Sequence, residues 1–247
     1  MSKINWCDET WNVTAGCSKI APGCLNCWAE KFAHRLKGSR IKGYGNVIGK
    51  KGWNGKVNLL RHNLDKPMHW KKPRRVFVNS MSDLFHPQVP FEFISKVFRV
   101  MEKCDKHRFF ILTKRIERMK QFFVETTDNV FPGVSVSTQN DVDELIPILL
   151  QIPVVHRFVS IEPSIERVNL SKYLKQLEWI ICGGESGARK RYCAPEWIRE
   201  ISMQCKDADV PLFVKQVHIF KTNHKIELIK DIGRFHDYLQ IQEFPKF

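Results

Sequence analysis

What this chain lacks narrows its reading first. It has no apolar run near the roughly 20 residues a membrane span requires. Its opening, Met1-Ser-Lys-Ile-Asn-Trp6, has no apolar stretch of the signal-peptide kind. No membrane partner is therefore expected, and the expected location is cytoplasmic. There is no internal repeat and no low-complexity tract. Acidic side chains are scarce: 26 Asp and Glu against 40 Lys and Arg leave a formal charge of +14. That imbalance favours a polyanionic partner, and nucleic acid or a nucleotide-derived substrate is the commonest. With 247 residues, 43% of them hydrophobic, the chain is long and apolar enough to bury a core and is not of the disordered class.

Cysteine is present, but its distribution argues against a disulfide framework. A cytosolic chain of this length does not need such staples. Cys104, Cys182, Cys193 and Cys205 are scattered and read as buried apolar positions. The others include a compact run, Cys17-Ser-Lys-Ile-Ala-Pro-Gly-Cys24-Leu-Asn-Cys27, with the spacing C-x6-C-x2-C. The close pair lets two thiolates point at one metal, and Pro22-Gly23 bends the longer arm so that Cys17 can join them. Three soft thiolates suit zinc or an iron–sulfur cluster. A structural zinc wants a fourth ligand, for which Cys7 and His34 are available, but no second C-x2-C completes a ribbon. A zinc deaminase needs His-x-Glu upstream, and no His precedes Cys17. An iron–sulfur cluster on Cys17, Cys24 and Cys27 leaves one iron open to a small molecule. The amine and carboxylate of S-adenosylmethionine can chelate such an iron.

The remainder alternates strands and helices. Strands are expected at Val76–Ser80, Arg108–Thr113, Phe131–Val136, Arg157–Ile161, Trp179–Cys182 and Pro211–Val214. Helices are expected at Phe91–Cys104, Ile116–Val124, from a cap at Asn140 or Asp141 to Leu150, around Ser171–Leu177, and from Pro195 to Cys205. The strands are continuous apolar runs, as when both faces are covered. The expected fold is α/β, a partial or complete parallel β/α barrel, with an open doubly wound sheet as the alternative. Residues 38–73 break the rhythm and read as an insertion within one domain spanning 1–247. Residues 217–247 read as a C-terminal extension whose role the sequence leaves open.

Polar residues fall at the carboxyl ends of these strands: Asn79, Ser80, Ser82 and Asp83; Thr113, Lys114 and Arg115; Ser137 and Thr138; Glu162; Glu185 and Ser186; Lys215 and Gln216. In β/α barrels that rim is the active-site face. Asp83 reads equally as a ligand contact and as a turn cap. Glu162, held extended by Pro163, is expected to pair with Lys114 or Arg115 or to bind substrate. Gly183-Gly184-Glu185-Ser186-Gly187 would let backbone approach a ligand closely. Lys215 at a rim implies an anionic partner.

Several segments together resemble a known family. They are Ile4-Asn-Trp-Cys-Asp-Glu-Thr-Trp-Asn12, Gly16 through Glu30, Val76 through His86, Leu112-Thr-Lys-Arg115, Gly133-Val-Ser-Val136, Ser160-Ile-Glu-Pro163, Gly183 through Gly187 and Phe213-Val-Lys-Gln216. In them the chain is similar to the phage-type three-Cys-motif proteins, a radical-SAM-like family of phages, prophages and bacteria. The resemblance implies a radical-SAM-type partial barrel and a [4Fe–4S] cluster on Cys17, Cys24 and Cys27. By the same analogy Ser80, Ser82 and Asp83 meet the methionyl group of S-adenosylmethionine. Ser137 and Thr138 meet its ribose, and Gly183, Gly184 and Glu185 line the adenine or the substrate. Lys114, Arg115, Glu162, Lys215 and Gln216 are the substrate-side candidates. Ser137-Thr138 stands where the family often has Glu-Asn, Trp28 where a Tyr is common and Cys7 where Thr is usual.

The expected function is an iron–sulfur, S-adenosylmethionine-dependent radical enzyme acting on nucleic acid or a nucleotide-derived substrate, with DNA modification as one outcome. It would need an electron-donor protein. The alternative is a non-catalytic nucleic-acid-binding protein stabilised by zinc or a cluster.

Overall fold

The computed structural model describes residues 4–123, 127–220 and 225–246. The chain divides into two compact units. The first comprises Met1–Ala21, Cys27–Gly133 and Ile152–Val155, and the second Pro22–Asn26, Val134–Gln151 and His156–Phe247.

The first unit carries β1 (Glu9–Trp11), β2 (Thr14–Ala15), α1 (Trp28–Gly38), β3 (Ile48–Gly49), β4 (Gly52–Trp53), β5 (Asn58–Leu59), β6 (Arg75–Val78), α2 (Phe91–Lys103), β7 (Arg108–Thr113) and α3 (Ile116–Phe122). β6 pairs parallel with β1 on one side and β7 on the other. Both faces of β6 and β7 are covered: Val76, Phe77, Val78, Phe109, Phe110 and Ile111 are all buried. Each such side chain contributes roughly 1.5–3 kcal/mol relative to exposure. α2 buries Phe93, Ile94, Val97, Phe98 and Met101, the stripe that helical spacing dictates.

Residues 38–73 are not a plain loop. β3 pairs with β4, and β5 pairs back onto β2, both antiparallel. Tyr44, Val47, Ile48 and Leu60 pack with Ala15, Ala29, Ala33 and Met81 into a small core under α1. The small alanines of α1 let these neighbours approach closely, which is why a Gly- and Lys-rich stretch can be ordered here.

β8 (Val130–Val136) begins in the first unit and ends in the second. The second unit adds α4 (Gln139–Leu149), β9 (Phe158–Ile161), β10 (Trp179–Gly183), α5 (Pro195–Asp207), β11 (Leu212–Phe220) and β12 (Ile226–Ile229). β9, β10 and β11 pair parallel, whereas β12 turns back antiparallel on β11. Strand order in the eight-stranded sheet is β1-β6-β7-β8-β9-β10-β11-β12. The α/β class with a mostly parallel sheet is as the sequence implies.

Four details differ from the sequence reading. The helix expected around Ser171–Leu177 is only a single 3-10 turn, Leu174–Gln176. β1 enters the sheet although its Glu-Thr-Trp is too short and polar to register as a strand; its pairing with β6 decides it. β11 runs on to Phe220, because β12 supplies antiparallel hydrogen bonds that the apolar pattern does not announce. The cap of α4 is Thr138 and not Asn140 or Asp141. The end of the helix expected to reach Val124 lies outside the described residues. No helix among the described residues is long and apolar enough to cross a membrane.

Candidate functional site

In the first unit the chain turns after β2 into the segment that carries Cys17. Gly16 holds φ at +102° and bridges to Ser82, and a Cβ there would sit 2.2 Å from the Lys56 carbonyl oxygen, so only glycine fits. Asn79, just past β6, adopts a left-handed φ of 59°. Its Oδ1 accepts from the Val13 and Thr14 N–H groups at 2.9 and 3.2 Å. Its Nδ2 donates to Thr14 Oγ1 at 3.0 Å. Ser80 donates to Asn12 Oδ1 at 3.3 Å, and Ser82 Oγ bonds both the hydroxyl and the carbonyl of Thr14. These hydroxyls knit the end of β6 to the chain leading toward Cys17.

Asp83 is buried and occupied. It accepts from the Phe85 N–H at 2.9 Å and from Thr113 Oγ1 at 2.8 Å. Arg115 Nη1 donates to it at 2.9 Å. The same guanidinium reaches the cysteine segment, donating to Ser18 Oγ at 2.9 Å and to the Ser18 carbonyl at 3.1 Å. It approaches Cys17 Sγ at 3.9 Å. Ser18 Oγ in turn meets His86 Nε2 at 3.0 Å. Burial pushes the Cys17 thiol up to about 12, with Asp83 adding to the rise and Arg115 opposing it. The thiol therefore stays protonated until a stronger cation meets it. Cys27 stands at the N-cap of α1. Glu30 in the first turn of α1 pairs with Lys19 at 3.0 Å and accepts from the Trp53 N–H at 3.0 Å.

In the second unit the segment Pro22–Asn26 carries Cys24. Asn26 Nδ2 donates to Glu185 Oε2 at 2.9 Å and to the Arg189 carbonyl at 2.8 Å. Glu185 is 4% exposed and is clasped by the Arg191 guanidinium and its N–H. Arg191 also donates to the Pro22 carbonyl at 3.1 Å. Burial would raise the Glu185 carboxyl, but the Arg191 and Asn26 hydrogen bonds outweigh it and hold the group below the usual carboxylate range. Gly184 lies flat on the His218 ring, where a Cβ would come within 2.8 Å. His218 Nδ1 accepts from the Cys193 N–H at 2.9 Å, so its Nε2 donates to the Glu185 carbonyl at 2.8 Å. Gln216 Nε2 donates to the Gly184 carbonyl. Glu162 pairs with Lys215 at 2.8 Å, and Arg115, one of its expected partners, is committed to Asp83.

Ser137 and Thr138 differ in what they have left to offer. Thr138 caps α4 reciprocally with Asp141. Ser137 is fully buried, its Oγ has no hydrogen-bond partner, and it lies where a Cβ on Gly23 would come within 2.1 Å. That orphaned hydroxyl touches the residue preceding Cys24, and no sequence signal distinguishes it from its neighbour.

None of the eight cysteines is in a disulfide. Cys104, Cys182, Cys193 and Cys205 are buried, and burial raises each thiol, as expected of inert core positions. Cys17, Cys24 and Cys27 are partly exposed, so by donor type and accessibility they fit a thiophilic metal. Among the described residues no group of three or more His, Cys, Asp or Glu side chains is gathered so as to hold a metal ion. Of the alternative zinc ligands, Cys7 donates to the Ile4 carbonyl at 3.6 Å and His34 is exposed on α1.

Among solved structures the chain is similar to a mutant form of spore photoproduct lyase. The two are 9% identical with a TM-score of 0.46, over 90% of this chain and 68% of that one. Comparison with curated proteins finds no match. The family model described as "Protein of unknown function (DUF5131)" matches residues 1–245, and the chain belongs to that family.

Proposed function

We propose that this protein is a radical enzyme that uses an iron–sulfur cluster and S-adenosylmethionine, with nucleic acid or a nucleotide-derived molecule as substrate. The observation that carries this reading is the closely spaced run Cys17, Cys24 and Cys27, whose thiols are all partly exposed, whereas Cys104, Cys182, Cys193 and Cys205 are buried. Three thiolates are one short of a closed four-iron set, which leaves an iron for the cofactor. In this reading Cys17, Cys24 and Cys27 would be the residues that hold the cluster. When bound, such a cluster would supply one-electron reducing chemistry toward S-adenosylmethionine, with an electron-donor protein as the source of the electron.

The chain's own residues do the positioning. Arg115, locked by Asp83, holds Ser18 and reaches toward Cys17 Sγ. Asp83 thus acts through Arg115 and not as a direct contact to the methionyl group. Arg191 and Asn26, locked by Glu185, hold the stretch that carries Cys24. The unpartnered Ser137 hydroxyl is free to donate to a cluster sulfur or to the cofactor ribose. The Gly184 N–H and carbonyl are both taken by Gln216, and the Gly183 carbonyl by the Ser164 N–H. These glycines therefore shape the turn and do not supply an adenine with those groups. Lys114 and Lys215 are the candidates for a substrate's anionic groups. The charge of +14 favours a phosphate-bearing substrate.

The test is anaerobic reconstitution with iron and sulfide. The reading expects a brown protein that releases 5′-deoxyadenosine when reduced and given S-adenosylmethionine. Cys17→Ala, Cys24→Ala and Cys27→Ala should each abolish iron loading, whereas Cys104→Ala, Cys193→Ala and Cys205→Ala should retain it. A colourless protein carrying a zinc ion would overturn the reading in favour of a non-catalytic nucleic-acid-binding protein.

A further inference from the structure

The second unit carries a group of aromatic rings that no step above uses. Tyr192 stacks on Phe220 with centroids 4.3 Å apart and planes 29° apart, and lies over His218 at 6.2 Å and 21°. Phe220 is 55% exposed. The column starts in the interior, since His218 is fully buried against Gly184 and donates to the Glu185 carbonyl. It ends at the surface because β11 places alternate residues on one face, so that 216, 218 and 220 follow in line. Tyr238, 44% exposed, lies against Arg199 of α5, the helix that follows Tyr192, and His236 stacks on it at 5.4 Å and 5°.

Cations accompany the rings. Arg199 stands 5.4 Å from the Tyr238 centroid. Arg189, which is exposed, and Lys190 shortly precede Tyr192 in the chain. Glu196 is the acid beside Tyr192.

We propose that Phe220, Tyr192 and Tyr238 form a stacking platform for the unpaired bases of a single-stranded nucleic acid, leading toward the Gly183–Gly187 turn. This rests on the nucleic-acid reading above and adds where the strand lies and that its bases are unpaired. Exposed rings interleaved with arginine and lysine suit such a strand, since every base has a π face and every linkage a negative charge. Duplex ends and backbones offer few free faces, so a duplex should gain little from the rings.

The experiment is fluorescence anisotropy with a labelled mixed-sequence single-stranded oligonucleotide, the matching duplex, and polyglutamate as competitor. Phe220→Leu and Tyr238→Leu keep bulk but remove the ring, and each should weaken single-strand binding roughly tenfold, within the range found when a stacking ring is removed. Phe220→Tyr should bind as the unsubstituted protein does, and duplex binding should change by about twofold or less. If the leucine variants bind the single strand undiminished, or polyglutamate competes as well as the oligonucleotide, the platform is wrong while a charge-driven nucleic-acid reading can stand. If the unsubstituted protein binds the duplex and no single strand, the platform alone falls; if it binds neither, the platform and the nucleic-acid reading fall together.

Discussion

His86 shows how one side chain reports its surroundings. Its Nδ1 accepts from the Gln88 N–H at 3.2 Å, so the proton sits on Nε2, which faces Ser18 Oγ. The ring is 3% exposed. Burial lowers its pKa from 6.5 to about 4, Arg115 and Arg118 adding to the fall and Asp83 opposing it. The folded form thus refuses a proton that the unfolded chain accepts. The stability this represents is fully present above the unfolded value of 6.5 and is lost as pH falls through that window toward about 4. The urea midpoint should therefore decline between about pH 7 and about pH 4.5, and His86→Gln should flatten part of that decline. An unchanged pH profile in His86→Gln would show that the ring titrates normally. At this scale the sequence marked Asp83, Arg115 and Glu185 as site residues. It could not say that each acid is already held by an arginine, because Arg115 lies 32 positions from Asp83.

At the scale of the element, the end of β8 shows a residue expected at a ribose serving as a helix cap. Thr138 Oγ1 accepts from the Asp141 N–H at 3.1 Å. Asp141 Oδ2 accepts from the Thr138 N–H at 3.2 Å and from the Ser137 N–H at 2.7 Å. Thr138→Ala should cost about 1 kcal/mol, as the loss of an N-cap usually does. For a chain of this length that is a drop of roughly 2–4 °C in Tm, which Thr138→Ser should largely restore. A Thr138→Ala protein with unchanged Tm and weakened S-adenosylmethionine binding would return the residue to the ribose. The helix was visible in the sequence and its cap was not: Thr138, Asn140 and Asp141 are all cap formers, and backbone geometry chose among them. β7 and α2 were legible almost to the residue because their apolar periods are unambiguous. β1 and the far half of β11 were not, since partners elsewhere in the chain make them strands.

At the scale of the whole molecule, the charge of +14 is less free than it looks. In the basic cluster Lys71–Arg75, Arg74 pairs with Glu9 and Arg75 with Asp8, each at 3.0 Å. Lys71 and Lys72 are exposed. Neutralising these two lysines should flatten the log–log salt dependence of nucleic-acid binding by about 0.7–0.9 for each phosphate they neutralise. Arg75→Gln should lower stability more than it alters that slope. Equal slopes for the double lysine variant and the unsubstituted protein would place the binding surface elsewhere.

The sequence by itself determined the α/β class, the spacing of the cysteine run and the chain's excess of basic over acidic side chains. Those depend on local apolar period, spacing and composition, which need no fold to be counted. Tertiary structure alone decided which polar groups are already satisfied and which remain. Asn26 meets Glu185 across 159 positions of chain, and Ser137, unlike Thr138 beside it, keeps an unsatisfied hydroxyl. The reason is physical: a buried polar group must find its partner through space, and folding brings together residues that the order of the chain keeps apart.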